Sequence, residues 1–132
     1  MEHIIYADGN EKKISWIIKT GDFVDEELRD QPDVYLDKVT PTQSKYIAVH
    51  VGIFWSIGRF IIKNEDTVNI MLDSKEMYDH LRQGTENSDL FIHKRTWFLN
   101  ELINQRKLKV NYQLIDPKEN IAAKLILQNG KK

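Results

Sequence analysis

The architecture turns on two segments, His3-Ile4-Ile5-Tyr6-Ala7-Asp8-Gly9 and Val68-Asn69-Ile70-Met71-Leu72-Asp73-Ser74. Each is an apolar run of strand length that closes on an aspartate and then a small residue. A run apolar on both faces reads as a strand buried on both sides of a sheet. If the two strands are neighbours, Asp8 and Asp73 meet at one end of that sheet. Two carboxylates at adjacent strand ends are a common start for a site that holds metal ions for phosphoryl transfer.

Working outward, Gly9-Asn10-Glu11-Lys12 supplies turn chemistry and Ile14–Ile18 returns as a second strand. Residues 21–33 are acidic, carry Gly21 and Pro32, and read as an exposed loop or wide connection. Val34–Val39 is then expected as a third, edge-lying strand. Thr40-Pro41-Thr42 opens a helix, a hydroxyl cap followed by proline, that should run to about Lys63. Val68–Leu72 is the fourth strand. Ser74 caps a short helix through Leu81 that Gly84 ends, and a polar loop spans Thr85–Asp89. A long helix over Leu90–Arg106 places Phe91, Phe98 and Leu102 on one stripe. Leu108–Leu114 alternates as a half-buried fifth strand, Asp116-Pro117 breaks it, and Glu119–Leu127 forms a last helix before a loose tail at 128–132. The order β-β-β-α-β-α-α-β-α implies an α/β layer fold with right-handed crossovers.

Length and composition bound the rest. The 132 residues suit one domain with a real core, 1–132. A net charge of −1 gives no global basic field, so any nucleic-acid contact needs a local patch. The chain has no cysteine, which excludes disulfides and thiolate metal sites and fits a reducing, cytoplasmic setting. The opening residues leave no room for a signal peptide. Tyr46–Ile62 is the stretch to test as a membrane span. It carries His50, Ser56 and Arg59 and falls short of the roughly 20 apolar residues a span needs, so no membrane association is expected.

The element order, with Asp8 closing strand one and Asp73-Ser74 closing strand four, resembles the ribonuclease H fold. Three local matches carry the resemblance: Tyr6-Ala7-Asp8-Gly9, Thr42-Gln43-Ser44-Lys45-Tyr46 and Pro117-Lys118-Glu119-Asn120-Ile121-Ala122-Ala123-Lys124. It implies a five-stranded mixed sheet of order 3-2-1-4-5 with helices on both faces. In active members of that family four acids hold two Mg²⁺ ions that cut the RNA strand of an RNA/DNA hybrid. Here the resemblance leaves Asp8 and Asp73 as remnants and places Lys45 and Lys124 at the third and fourth positions. No Asp or Glu occurs from Pro41 through Asn64, so no shift along that helix restores the third acid. Glu119 lies five residues before Lys124, about 140° away on a helical wheel. An ammonium can stand where a metal's charge would act, so both lysines are read as internal counter-ions to the two aspartates.

Three functions stay open at this stage. The first is a catalytically degenerate module that binds RNA or an RNA/DNA hybrid without a cofactor. Its contacts would be Asn10, Thr42, Gln43, Ser74 and Asn120 around the cleft, with Lys94 and Arg95 on a basic helix. The second is a protein-interaction module that kept only the fold. The third is a divergent nuclease that still uses Mg²⁺ or Mn²⁺ through Asp116 or Glu119. His3, His50, His80 and His93 share no metal-ligand spacing, and His50 is expected to be a satisfied interior or groove residue. No Ser-His-Asp grouping and no glycine-rich phosphate loop is legible in the chain. Trp97, beside His93-Lys94-Arg95, is read either as packed inward or as an exposed partner of the basic groups.

Overall fold

A computed structural model describes residues 1–84 and 86–130, with the backbone alone for the last two. Five strands form one mixed sheet: β1 (Glu2–Gly9), β2 (Lys13–Thr20), β3 (Phe23–Asp30), β4 (Thr67–Leu72) and β5 (Lys109–Leu114), in the order β3-β2-β1-β4-β5. β1 pairs antiparallel with β2 and parallel with β4, which places the two apolar runs side by side at the centre. The helices are α1 (Pro41–Gly58), α2 (Lys75–Gln83), α3 (Leu90–Arg106) and α4 (Ile121–Gly130).

Alternation along β2 decides which helix lies on which face. The Ser15 hydroxyl donates to the Ala122 carbonyl of α4 at 2.7 Å. Its neighbour Trp16 points the other way, against Gly52 of α1, where an added Cβ would sit 3.0 Å from the indole. Successive strand residues face opposite sides, so α1 and α4 cover opposite faces of the sheet. α3 packs on the far side of α1. The core between sheet and α1 is built from Ile5, Trp16, Ile18, Ile53, Val68 and Ile70, all buried. Within the described residues no helix is long and apolar enough to cross a membrane. α1 is apolar because it is buried against both the sheet and α3.

Several boundaries differ from the sequence reading. The third strand is Phe23–Asp30, inside the expected loop, while Val34–Val39 forms no strand. β3 hides in sequence because it is a charged edge strand with no buried residue. It is held by register, Thr20 facing Phe23 across a two-residue turn. Gly21 takes φ +59 at the first central position of that turn, as a type II′ hairpin turn requires. The segment after it turns back on itself instead: Tyr35 and Leu36 donate to the Pro32 carbonyl, and Val39 donates to that of Tyr35. This puts Tyr35 and Val39 on one inward side. α1 stops at Gly58, short of Lys63, and Phe60 follows at φ 63. At the other end, Pro117–Glu119 is a 3-10 turn and α4 continues to Gly130, into the expected tail. Thr85 and residues 131–132 lie outside the described residues.

Candidate functional site

The site is assembled at the carboxyl ends of β1 and β4. Asp8 leaves the tip of β1, and Asp73 lies just past β4. Lys45 comes down from the first turns of α1. Thr40 caps that helix, accepting from the Gln43 backbone N–H at 3.0 Å, while the Gln43 side chain accepts from the Thr40 N–H at 3.0 Å. This reciprocal cap fixes where the helix begins. Gly9 fixes how closely it approaches β1. A Cβ on residue 9 would lie 2.2 Å from the Ser44 hydroxyl and 2.8 Å from its carbonyl oxygen. Only glycine admits the helix here, and Lys45 is the next residue along it.

The Lys45 ammonium donates to Asp8 Oδ1 at 2.6 Å and to Asp73 Oδ1 at 2.9 Å. It therefore bridges the two aspartates. The side chains are 23 % exposed for Lys45, 16 % for Asp8 and 9 % for Asp73. Burial alone would lower the lysine's pKa. The hydrogen bonds and charges of Asp8 and Asp73 together outweigh it and hold Lys45 above its ordinary value. The remaining Asp73 oxygen accepts from the Asn120 side-chain amide at 3.0 Å, and the same amide donates to the Ala7 carbonyl at 3.1 Å. Asn120 Oδ1 accepts from the Ala122 backbone N–H, which sets the amide's orientation. Asn120 is completely buried and ties the start of α4 to the strand ends.

The two lysines thus part company. Lys45 is the counter-ion the sequence suggested. Lys124 is exposed and belongs to none of the ion pairs among the described residues. One ammonium against two carboxylates leaves a residual negative charge, and the Asn120 N–H donors and the open side of Asp8 accommodate it. The neutral amide takes the part that Lys124 was expected to take. No sequence pattern could decide this, because Asn120 and Lys124 lie four residues apart at the start of one short helix.

Most of the polar residues expected around the cleft are bound within the protein. Asn10 Oδ1 accepts from the Lys12 and Lys13 backbone N–H groups and closes the first hairpin. The Gln43 amide, besides its capping role, donates to Asp89 Oδ2 at 2.9 Å. Asp89 itself caps α3, so this bond joins the amino ends of α1 and α3. Ser74 caps α2. Asp116 and Glu119 are spent on each other's backbone in the 3-10 turn, and neither joins Asp8 or Asp73. Thr42 and Lys94 are the exposed members of the set. Arg95 is half-buried and donates to the Tyr35 hydroxyl at 2.9 Å. Trp97 is 55 % exposed, so it does not pack inward.

One grouping escaped the sequence. His3 is fully buried, with Nε2 2.7 Å from Asp66 Oδ2 and Nδ1 2.6 Å from the Thr20 hydroxyl. Burial would raise the Asp66 pKa, but the hydrogen bonds from His3 and the Lys63 backbone N–H pull it below the usual carboxylate value. The three residues lie far apart in the chain, and only the pairing of β1 with β2 and β4 brings them together. The cluster satisfies a polar position at the opposite end of the sheet from Asp8.

The fold implies a metal centre at Asp8 and Asp73, and the residues do not fit one. Divalent magnesium needs about six oxygen ligands in near-octahedral array, and several carboxylates to offset its dehydration. Here two carboxylates are present, and an ammonium and an amide NH₂ are aimed at them. No group of three or more His, Cys, Asp or Glu suited to a metal occurs among the described residues.

Comparison with known proteins gives a consistent picture of the fold. No protein-family model matches the chain, and no curated protein matches it in sequence. Solved structures do match. The N-terminal ribonuclease H domain of a Mycobacterium tuberculosis protein superposes with a TM-score of 0.74 at 14% identity, covering 92% of each chain. Ribonuclease H1 from the halophilic archaeon Halobacterium salinarum gives 0.71 at 13% identity, over 94% of this chain and 91% of that one. LC11 ribonuclease H1, isolated from compost by a metagenomic approach and solved with an RNA/DNA hybrid, gives 0.64 at 12% identity, over 94% and 91%. With the sheet order above, the architecture is that of the ribonuclease H fold.

Proposed function

We propose that this ribonuclease H-fold chain is a non-catalytic nucleic-acid-binding module whose metal centre has been replaced by an internal ion pair. The observation that carries the reading is the Lys45 ammonium within hydrogen-bond distance of both Asp8 and Asp73. A two-metal mechanism needs ions that activate a water and steady the leaving oxygen. The bridging ammonium pairs with both carboxylates without offering a Lewis acid or a bound water. What supports nucleic acid as the partner is the surface at the amino ends of α1 and α3. The first turns of α1 and α3 lie next to each other, joined through Gln43 and Asp89, and present Thr42 and Lys94 to solvent. LC11 ribonuclease H1, of the same fold, engages an RNA/DNA hybrid.

A labelled RNA/DNA hybrid incubated with the protein and Mg²⁺ or Mn²⁺ should remain uncut while still being retained in a binding assay. Binding through two phosphate contacts should weaken about tenfold between roughly 50 and 200 mM salt. Lys94→Glu should weaken it further and flatten the salt slope. Metal-dependent turnover abolished by Asp8→Asn would overturn the non-catalytic reading. Absence of hybrid binding at low salt would overturn the nucleic-acid reading and leave a protein partner.

A further inference from the structure

We propose that the groove between α1, α3 and the 31–39 connection is a separate site for a single nucleotide, base against Phe98 and His50, phosphate on Lys94 and Arg95. The groove is a cavity of about 540 Å³ lined by Tyr35, His50, Phe91, Lys94, Arg95 and Phe98. That volume falls in the range of small-molecule sites, which pair apolar walls with a few placed polar groups. His50 follows Lys45 by five residues on α1, about 140° around the helix. The groove therefore opens on a different side of α1 from the Asp8–Lys45–Asp73 centre; it shares Lys94 with the surface proposed for hybrid binding, and Phe98, which that surface does not use, tells the two apart.

Charge is the first argument. Neither Lys94 nor Arg95 appears in any ion pair among the described residues. Arg95 is half-buried and held in place. Its guanidinium lies 5.8 Å from the Tyr35 ring centre and 5.6 Å from that of Phe91. One Nη donates to the Tyr35 hydroxyl at 2.9 Å, and the other lies 3.1 Å from His50 Nδ1. Two of its five N–H donors are thus used and three are left. Burial and the Arg95 charge lower the His50 pKa to about 4, so the imidazole is neutral at physiological pH. With Nδ1 accepting from Arg95, its proton sits on Nε2 and adds a further donor. An oriented cation without a carboxylate, beside a second exposed cation and a neutral donor, is suited to an anion.

The walls say what the anion is attached to. Tyr35 and Phe91 are already engaged with the guanidinium. The His50 and Phe98 rings are nearly parallel, 9° apart with centroids at 6.5 Å, and Trp97 abuts Phe98 edge-on at 5.1 Å. Phe98 and Trp97 remain substantially exposed, an arrangement that leaves flat aromatic surface open next to the cations. A planar base bearing a phosphate satisfies both halves. A peptide carboxylate would use the cations and leave the ring surface open.

Isothermal titration of the full chain with AMP, adenosine and ribose 5-phosphate tests the assignment. AMP should bind, with adenosine and ribose 5-phosphate each at least about tenfold weaker. Phe98→Ala and Lys94→Ala should each weaken AMP by about tenfold, the scale of a lost stacking contact. Both side chains are exposed, and an unchanged melting temperature would show that the variants fold. A 5′-phosphorylated trinucleotide separates two sources of the same chemistry. Tighter binding than AMP, with the same Phe98 dependence, assigns the groove to a strand end, and equal affinity assigns it to the free mononucleotide. Ribose 5-phosphate binding as tightly as AMP, AMP binding indifferent to Phe98→Ala, or no saturable AMP binding up to about 10 mM would each overturn the proposal. Retention of hybrid binding alongside such a result would leave the function proposed for the cleft intact.

Discussion

In the Lys45→Glu variant the melting temperature should fall by about 10 °C in metal-free buffer and recover in part when Mn²⁺ is added. The substitution sets three carboxylates where an ammonium now bridges two at 2.6 and 2.9 Å. Removing one partner of a fully buried ion pair costs about 3–5 kcal/mol. Lys45 is 23 % exposed, so solvent screens part of this and about 3 kcal/mol is the appropriate figure. For a domain of this size that corresponds to roughly 3–4 °C per kcal/mol. The same three acids would form a cation site, and a metal at about a hundredfold over its Kd returns about 2.7 kcal/mol. Adding Lys124→Asp should change the metal-free melt and the metal response little, because Lys124 is exposed and joins none of the ion pairs among the described residues. Thermal melts of parent, single and double variants across a Mn²⁺ series measure all of this. An unchanged melting temperature for metal-free Lys45→Glu would show that the ion pair contributes nothing.

Trp16→Ala should destabilise the protein by about 3–5 kcal/mol, the range for truncating a buried aromatic. Trp16 is fully buried between β2 and α1. Its ring meets Trp55 edge-on at 5.7 Å, and the Arg29 guanidinium lies 5.2 Å from it. The helix reaches the indole only because residue 52 is glycine. The site cannot collapse easily, since β2 is paired on both sides. One term opposes the loss: Trp16 Nε1 is buried without a hydrogen-bond partner, and its removal relieves an unsatisfied donor of about 1–3 kcal/mol. Trp16→Phe removes the same donor but keeps most of the ring's packing, so it should be much milder than Trp16→Ala. Urea denaturation of the two variants gives the comparison, and a Phe variant as unstable as the Ala variant would show that ring packing is not what Trp16 contributes.

The centre of the sheet was legible in the chain because its two strands each carry a run of apolar residues that closes on an aspartate. The apolar residues Ile4–Ala7 and Ile70–Leu72 made both strands plain, while their adjacency and the meeting of Asp8 with Asp73 rested on the element order and the resemblance. The edge was not legible. β3 is charged and wholly partly exposed to exposed, and only the tight turn at Gly21 marks it, whereas Val34–Val39 carries the apolar residues without the extended backbone. The same contrast runs through the site. Lys45 could be placed because the resemblance at Thr42-Gln43-Ser44-Lys45-Tyr46 lies just inside a recognisable helix cap. Lys124 could not, because α4 starts two residues later than its sequence suggests and Asn120 occupies the place beside Asp73. Polar residues such as Asn10 and Gln43 read as ligand contacts only while their backbone partners are unknown. The Thr20–His3–Asp66 cluster and the groove around Arg95 depend on long-range pairing, which no local pattern reports.

Whether the Lys45 ammonium stands in place of metal at Asp8 and Asp73 is read by titrating the unmodified protein with Mn²⁺ and following free Mn²⁺ by electron paramagnetic resonance. No saturable site is expected at millimolar Mn²⁺ and neutral pH, with the same trace for Asp8→Asn. A saturable Mn²⁺ site in the parent that disappears in Asp8→Asn would contradict it.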